Sequence, residues 1–470
     1  MKSASPREAC LVMLLAFARR RFPVGPLLAI ASSAAVVTWA VVRGAAIRRN
    51  PDTKLGAAPL VGTWDWAPSW KIIPAALVGG FVLLWAGRGT SERPLRRELS
   101  LVGALSFAWT VSLAWSQGRS AMIDPVTDRT EYWSRLPKLA PAKEMLRVWA
   151  DPLWMRNQPV HLKGHPPGYV LILKAMAQIG LRSPWAAAAL SWLAAASVAV
   201  GIVVIIRLCS NGDAWRRVAP FAIVAPYAVW MGTSADAVFS AFGVWGVVGV
   251  ALSCQAPAPQ NRWLWGVFGG SVLGFAIFLS YGMAPFLIIP GLVILSAPSI
   301  SSRARVQSVL ATALGGVAVV MLFAAFHFWW FDGLATTRIF YWKGTAKFRP
   351  WGYFFVANIA NIVIASGPAV VAGIGITVAA GLRRARTGLR DLLRTTDRAW
   401  LMPLGAVVAM LGANLSQLSK GETERIWLPF IVFLVPLTAA LGRTLWSRRF
   451  WIALQAATAL VLQVGLLSKW

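Results

Sequence analysis

From residue 24 to the end of the chain, apolar runs of about 20 residues recur, separated by short basic gaps. A helix of that length covers the ~30 Å hydrocarbon core of a bilayer and satisfies every backbone hydrogen bond within itself. Repetition of such runs leaves few options for a 470-residue chain. Only 13% of its residues are charged, about half the share usual in soluble domains. The expected fold class is all-α, a polytopic transmembrane helix bundle.

The basic residues set an expected orientation. Net charge is +29, a value that alone would suggest nucleic acid as partner. The clusters, however, sit between apolar runs: Arg19-Arg20-Arg21, Arg93/Arg96/Arg97, Arg216-Arg217, Arg303/Arg305, Arg383/Arg384/Arg386 and Arg448-Arg449. This is the positive-inside pattern, with anionic membrane lipid as counter-charge. No soluble domain remains to present a groove, so nucleic acid is excluded as partner. The run from Pro23 to Val42 is too long for a signal-peptide core, and basic residues precede it, so it is expected to be a first anchor.

With basic gaps on the cytoplasmic side, thirteen spans are expected: 24–43, 72–88, 100–117, 185–206, 218–233, 237–254, 263–281, 283–299, 306–328, 353–380, 399–416, 427–442 and 450–467. The N-terminus then lies inside and the C-terminus outside. Residues 1–99 hold a cytoplasmic tail and two leading spans, 100–442 the core with an external loop at 118–184, and 443–470 a last span. The stretch 168–182 is apolar but too short to cross, and a crossing there would put every later basic cluster on the wrong side. It is expected to lie in the outer interface as an amphipathic helix. Trp64, Trp66 and Trp70 suit an interfacial aromatic belt in the first outer loop, 44–71. Cys10, Cys209 and Cys254 all fall at the reducing cytoplasmic face, so no structural disulfide is expected.

On this topology six acids are cytoplasmic (Glu8, Glu92, Glu98, Asp213, Asp391 and Asp397) and eleven are external. The excess marks the outer face as a working surface, or records the avoidance of acids by the basic gaps. Three outer stretches carry the chemistry. In AMIDPVTDRTEYWSRLP, Asp124, Asp128 and Glu131 lie within eight residues. They could supply a general base, ligate a divalent cation through oxygen, or form a solvated acidic loop. Pro125 favours a loop over a helix at its start. In HLKGHPPG, the prolines suit a helix start after His165, with His161 close by. The imidazole is a hydrogen-bond donor or an incidental part of a rigid turn, and a metal site from the two histidines alone is weak. In LSKGETERIWLPF, Lys420 and Arg425 interleave with Glu422 and Glu424. These bases, with Arg338, Lys343, Lys347 and Arg349 of the 329–352 loop, suit a phosphate, or snorkel at a membrane edge.

A span, an acidic external loop, a Pro-Pro interfacial helix and another span, in that order, resemble the GT-C superfamily of integral-membrane glycosyltransferases. In many members a His-Pro-Pro or Lys-Pro-Pro element precedes a span, as His165-Pro166-Pro167 does here. The stretches TSADAVF, FLSYG, FHFWWFDGLATTR, RPWGYF and LSKGETERIWLPF are similar to those of actinobacterial multi-pass membrane proteins of this type. The resemblance covers most of residues 100–442 and implies a polyprenyl-phosphate-linked sugar as donor, with an inverting attack by an acceptor hydroxyl. The acceptor would be a cell-envelope glycan, a glycolipid or a protein. It implies an external carboxylate as base, Asp128 or Glu131 before Asp124, with Asp236 as a facing partner. The basic residues would stabilise the departing lipid phosphate. The acidic loop follows the third span rather than the first, so the two leading spans read as an addition. No cofactor is certain, and a divalent cation remains an option. Two other classes stay open. A transporter or flippase would want mid-membrane ionisable groups, interrupted spans or internal repeats, and none of these stands out. A non-catalytic scaffold would have no reason to gather acids, His-Pro-Pro and bases on one face.

Overall fold

The computed structural model describes residues 24–86, 94–210, 212–297, 300–385, 401–442 and 444–468. Arg19-Arg20-Arg21, Glu8, Cys10, Glu92, Arg93, Arg386, Asp391 and Asp397 lie outside the described residues. The described fold is all-α, and its one sheet is a two-residue antiparallel pairing of Thr63–Trp64 with Leu466–Leu467.

Local chemistry starts these helices where the sequence allows. Ser183 caps the Pro184–Cys209 helix through Trp185 N–H, with proline at a position where the missing donor costs nothing. Ser234 caps Ala235–Gln255 through Asp236 N–H, and Ser301 caps Ser302–Ala325 through Ala304 N–H. These three helices are long and apolar enough to cross a membrane, as are Val24–Ile47 and Leu95–Trp115. They are accompanied by shorter apolar helices at Trp70–Trp85, Tyr281–Ser296, Leu401–Leu415 and Leu428–Ala440.

Burial orders the bundle. In its most apolar stretch, 83% of the Ala235–Gln255 helix is buried inside the protein, against 11% for Val24–Ile47. The first is therefore the core and the second a peripheral helix whose apolar surface suits lipid. Ala235–Gln255 packs on Pro184–Cys209 and on Pro259–Ile277, which packs in turn on Ser302–Ala325. Glycine permits both approaches of the Pro259–Ile277 helix: a Cβ on Gly270 would collide with the Thr312 backbone of Ser302–Ala325, and one on Gly249 of Ala235–Gln255 would stand 2.7 Å from Gly269 Cα. Val24–Ile47 packs against 351–383, and Leu445–Gly465 against Ile73–Trp85.

Several expected spans are interrupted. The stretch 353–380 is two helices, Trp351–Ser366 and a helix starting at Pro368, bent by 107°. Gly367 sits at the corner with φ +81°, a conformation side chains oppose, and Pro368 starts the next helix. Gln455 satisfies the backbone groups freed there, donating to Ser366 C=O at 2.6 Å and accepting from Ala369 N–H at 3.0 Å. The 218–233 stretch splits into Ala214–Ile223 and a 3-10 turn at Pro226–Trp230, and 427–442 into Leu428–Ile431 and a 3-10 helix at Val432–Ala440. Prolines explain both breaks, because each removes a backbone donor. The stretch 168–182 holds a helix at Gly168–Gln178, eleven residues, too short to cross a bilayer.

Candidate functional site

The acidic stretch folds as a string of short turns, so its carboxylates do not share a helix face. Pro125 opens the four-residue helix Asp124–Thr127, which ends at Asp128. The Asp128 carboxylate accepts from Thr130 N–H at 2.7 Å and from the Thr130 hydroxyl, an Asx-type turn. That turn leaves Glu131 extended ahead of the Tyr132–Arg135 turn, with its side chain directed into the protein. Glu131 Oε1 lies 3.3 Å from His161 Nδ1 and 4.0 Å from an Arg425 guanidinium nitrogen. The same nitrogen is 3.5 Å from Asp236 Oδ2, whose carboxylate also accepts from the Ser234 hydroxyl at 2.8 Å. Residues from three separate stretches of the chain thus meet around one buried cation.

HPPG anchors the second wall. Gly168 N–H donates to Phe278 C=O at 2.8 Å, and a Cβ there would overlap that same carbonyl. His165 Nδ1 lies 3.3 Å from Leu279 C=O, which makes Nδ1 the protonated nitrogen and leaves Nε2 as an acceptor. Trp149 Nε1–H donates to the His165 carbonyl at 3.1 Å. The Tyr132 ring meets His161, His165 and Tyr169 edge-on, and its buried hydroxyl has no hydrogen-bond partner among the described residues.

Electrostatics follow from burial and from Arg425. Burial pushes the Glu131 carboxyl up to about 8, despite the nearby Arg425 cation, with Asp236 and Asp128 adding to the rise. Burial also holds His165 down at about 4 and His161 well below its ordinary value. Glu131 and His161 therefore meet at neutral pH mainly as neutral partners in a hydrogen bond. Burial opposes the Arg425 charge, but Asp236, Glu131 and Glu422 outweigh it and keep the guanidinium firmly protonated.

A second layer supports the first. Arg425 lies 3.6 Å from Glu422, which accepts from Arg349 at 3.1 Å. Burial alone would raise Glu422, yet Arg349 and Arg425 hold it below the usual carboxylate range. Arg349 also donates to Lys420 C=O at 2.6 Å and to Thr53 C=O at 2.9 Å. Glu424 is wholly buried and turned away from this chain of charges, accepting from Val61 N–H at 3.1 Å and Asn361 Nδ2 at 2.8 Å. Burial raises it to about 7, as suits a structural carboxyl rather than a substrate contact. Lys420 rests its ammonium 4.5 Å above the Trp342 ring.

Of the residues singled out from sequence, Glu131, Asp236, His161, His165, Glu422 and Arg425 are brought together. Asp124 and Asp128 instead line a cleft of about 540 Å³ beside the cluster, with Gly232 and Thr233 from the turn leading to Asp236. Arg338 and Lys343 are exposed on the Trp330–Lys343 helix, outside the ion-pair network. Arg349, read from sequence only as a further base of the 329–352 loop, joins two layers of the cluster, and sequence reasoning missed Tyr132. Both sit in stretches quoted for other residues, RPWGYF and TEYW. Among the described residues no three His, Cys, Asp or Glu side chains converge as a metal-ligand group. No protein-family model matches the chain, and no curated protein matches it.

Proposed function

We propose that the protein is a membrane glycosyltransferase of GT-C type, moving a sugar from a polyprenyl-phosphate donor to a hydroxyl acceptor on the extracytoplasmic side of the cell membrane. In this reading the chain crosses the bilayer thirteen times, with its N-terminus inside. One observation carries the proposal most. Glu131, Asp236 and Arg425, from segments that charge patterning assigns to one side, meet beside a cleft lined by Asp128. Glu131 is the base: its carboxylate takes the proton of the acceptor hydroxyl as that oxygen bonds to the anomeric carbon. The bond to the phosphate oxygen breaks on the opposite face, and the lipid phosphate leaves with the electron pair. A base titrating at about 8 suits this work, because it binds a proton strongly yet is partly ionised at neutral pH. Arg425 tunes it, since the cation favours the ionised form. Exposed Lys343 and Arg338, with Lys420 at Trp342, form the basic edge that receives the lipid phosphate.

The test is transfer of radiolabelled sugar from polyprenyl-phosphate donors in membranes carrying wild type, Glu131→Gln or Asp128→Asn. Loss of the base should lower the rate at least about a hundredfold in Glu131→Gln. Product from both variants at wild-type rates would sink the assignment, and the same assay with and without chelator reads out any need for a divalent cation. A transporter or flippase is the second reading, favoured by the 107° break at Gly367. It predicts donor-lipid movement across vesicles without any transfer product.

A further inference from the structure

The cleft lined by Asp124 and Asp128 has a construction of its own. One wall is the segment 65–71, which zips onto the end of the last helix: Asp65 N–H donates to Gly465 C=O at 2.9 Å and Ala67 N–H to Val464 C=O at 3.2 Å. Gln117 Nε2 ties the facing turn to the same end, donating to Gln463 C=O at 3.1 Å. The wall is therefore held by backbone contacts and does not depend on a ligand for its shape. At about 540 Å³ it falls in the usual range for small-molecule sites, about 300–1,000 Å³.

Its lining is rich in acceptors. Asp65, Asp124 and Asp128 supply three carboxylates, Gln117 and Gln463 two carboxamides, and five serine or threonine side chains add hydroxyls. Lys71 is the single basic side chain lining it. Such a surface satisfies a molecule that brings many hydroxyl donors, and its net negative charge repels one that brings an anion. The basic and aromatic edge formed by Lys163 on Phe340 and Lys420 on Trp342 belongs to other segments of the chain.

We infer that this cleft binds the acceptor and selects a neutral, polyhydroxylated glycan over an anionic one. The inference rests on the transferase reading for the word acceptor, but the binding preference stands on the cleft alone. Asp65 from the leading loop joins Asp124 and Asp128 of the acidic loop in making the selection. Donor and acceptor then meet the protein on surfaces of opposite charge, which keeps the anionic donor lipid out of the acceptor site.

The experiment is saturation-transfer NMR on the full chain in nanodiscs, with soluble trisaccharides as probes. The panel holds neutral trisaccharides of glucose, mannose, galactose and arabinose, trigalacturonate as the anionic counterpart, and trilysine as a cationic control. At least one neutral trisaccharide should bind, and trigalacturonate should bind about tenfold more weakly or not at all. Ser120→Trp, an exposed position lining the cleft, should abolish the neutral signal. Asp65→Lys, also exposed, should narrow or reverse the discrimination against trigalacturonate. Absence of binding by every neutral sugar, a wild-type signal in Ser120→Trp, or tighter binding of trilysine than of any sugar would overturn the inference. Sugar binding without transfer in the membrane assay removes the transferase reading and leaves the cleft a glycan site, whereas transfer without sugar binding does the reverse.

Discussion

Removing the buried cation should destabilise the protein through the carboxylates it leaves behind. Arg425 and Asp236 side chains are 6% and 4% exposed, and their charged atoms lie 3.5 Å apart. At an effective dielectric of about 20 that separation gives a gross attraction of ~5 kcal/mol. Desolvation of both ions cancels much of it, several kcal/mol per ion, so the pair's net worth is small while its rupture is costly. Arg425→Gln should therefore lower stability by about 3–5 kcal/mol, and Asp236→Asn by a similar amount, because each leaves an opposite charge buried without its main partner. The double variant removes both charges together and should cost at least about 2 kcal/mol less than the sum. Glu422 adds less to the cycle, because it is 27% exposed and keeps Arg349. Reversible unfolding in mixed micelles of the four proteins measures this coupling. Additivity within about 0.5 kcal/mol would refute the account, since independent sites behave that way.

Glu131 and Glu424 hold their protons up to about 8 and about 7 in the folded chain, against about 4.3 when unfolded. The stability they contribute is complete below the unfolded value and is lost as pH rises through 7 and 8. His165, held down at about 4, contributes stability that is complete above about 6.5 and lost on acidification. Wild type should thus lose stability between pH 6.5 and 8.5, and Glu131→Gln should show a shallower slope in the same unfolding assay. Gly367→Ala places a Cβ 2.6 Å from Gln455 Oε1 at a positive φ and should cost about 1–3 kcal/mol. Gln455→Leu, which strands Ser366 C=O and Ala369 N–H, should cost a similar amount. Gly168→Ala pushes against Phe278 C=O and should cost about 1–3 kcal/mol, whereas Gly164→Ala, which meets open space, should stay within about 0.5 kcal/mol in thermal unfolding.

Helical class and the grouping of Glu131, Asp236 and Arg425 were legible because both rest on one-dimensional patterns. Apolar length announces the long helices, and the alternation of basic gaps with acidic loops sorted Glu131, Asp236 and Arg425 onto one face before any contact was known. The break at 353–380 was harder to see. Gly367-Pro368 is a fair stop signal, but the apolar residues on either side run on without a polar interruption. What permits the corner is Gln455, 87 residues away from Pro368, and no local rule pairs the two. The same holds for roles inside the acidic loop. Asp128 and Glu131 are three residues apart with similar surroundings in sequence, yet an Asx turn at Thr130 puts one at the cleft and sends the other into the protein. Glu424 looked like part of the basic-acidic weave, and the turn of helix that carries it points it at Val61 instead.

The leading loop reaches two buried ionisable side chains through main-chain atoms: Thr53 offers its carbonyl to Arg349, and Val61 its amide to Glu424. Every amino acid except proline carries both groups, so neither contact depends on which side chain stands at 53 or 61. Inserting or deleting one residue there is a different matter, because it shifts the register of the peptide groups and strips two buried ionisable side chains of a partner at once. These two contacts should accordingly be indifferent to side-chain identity and strict about loop length, a dependence that an indel scan would expose.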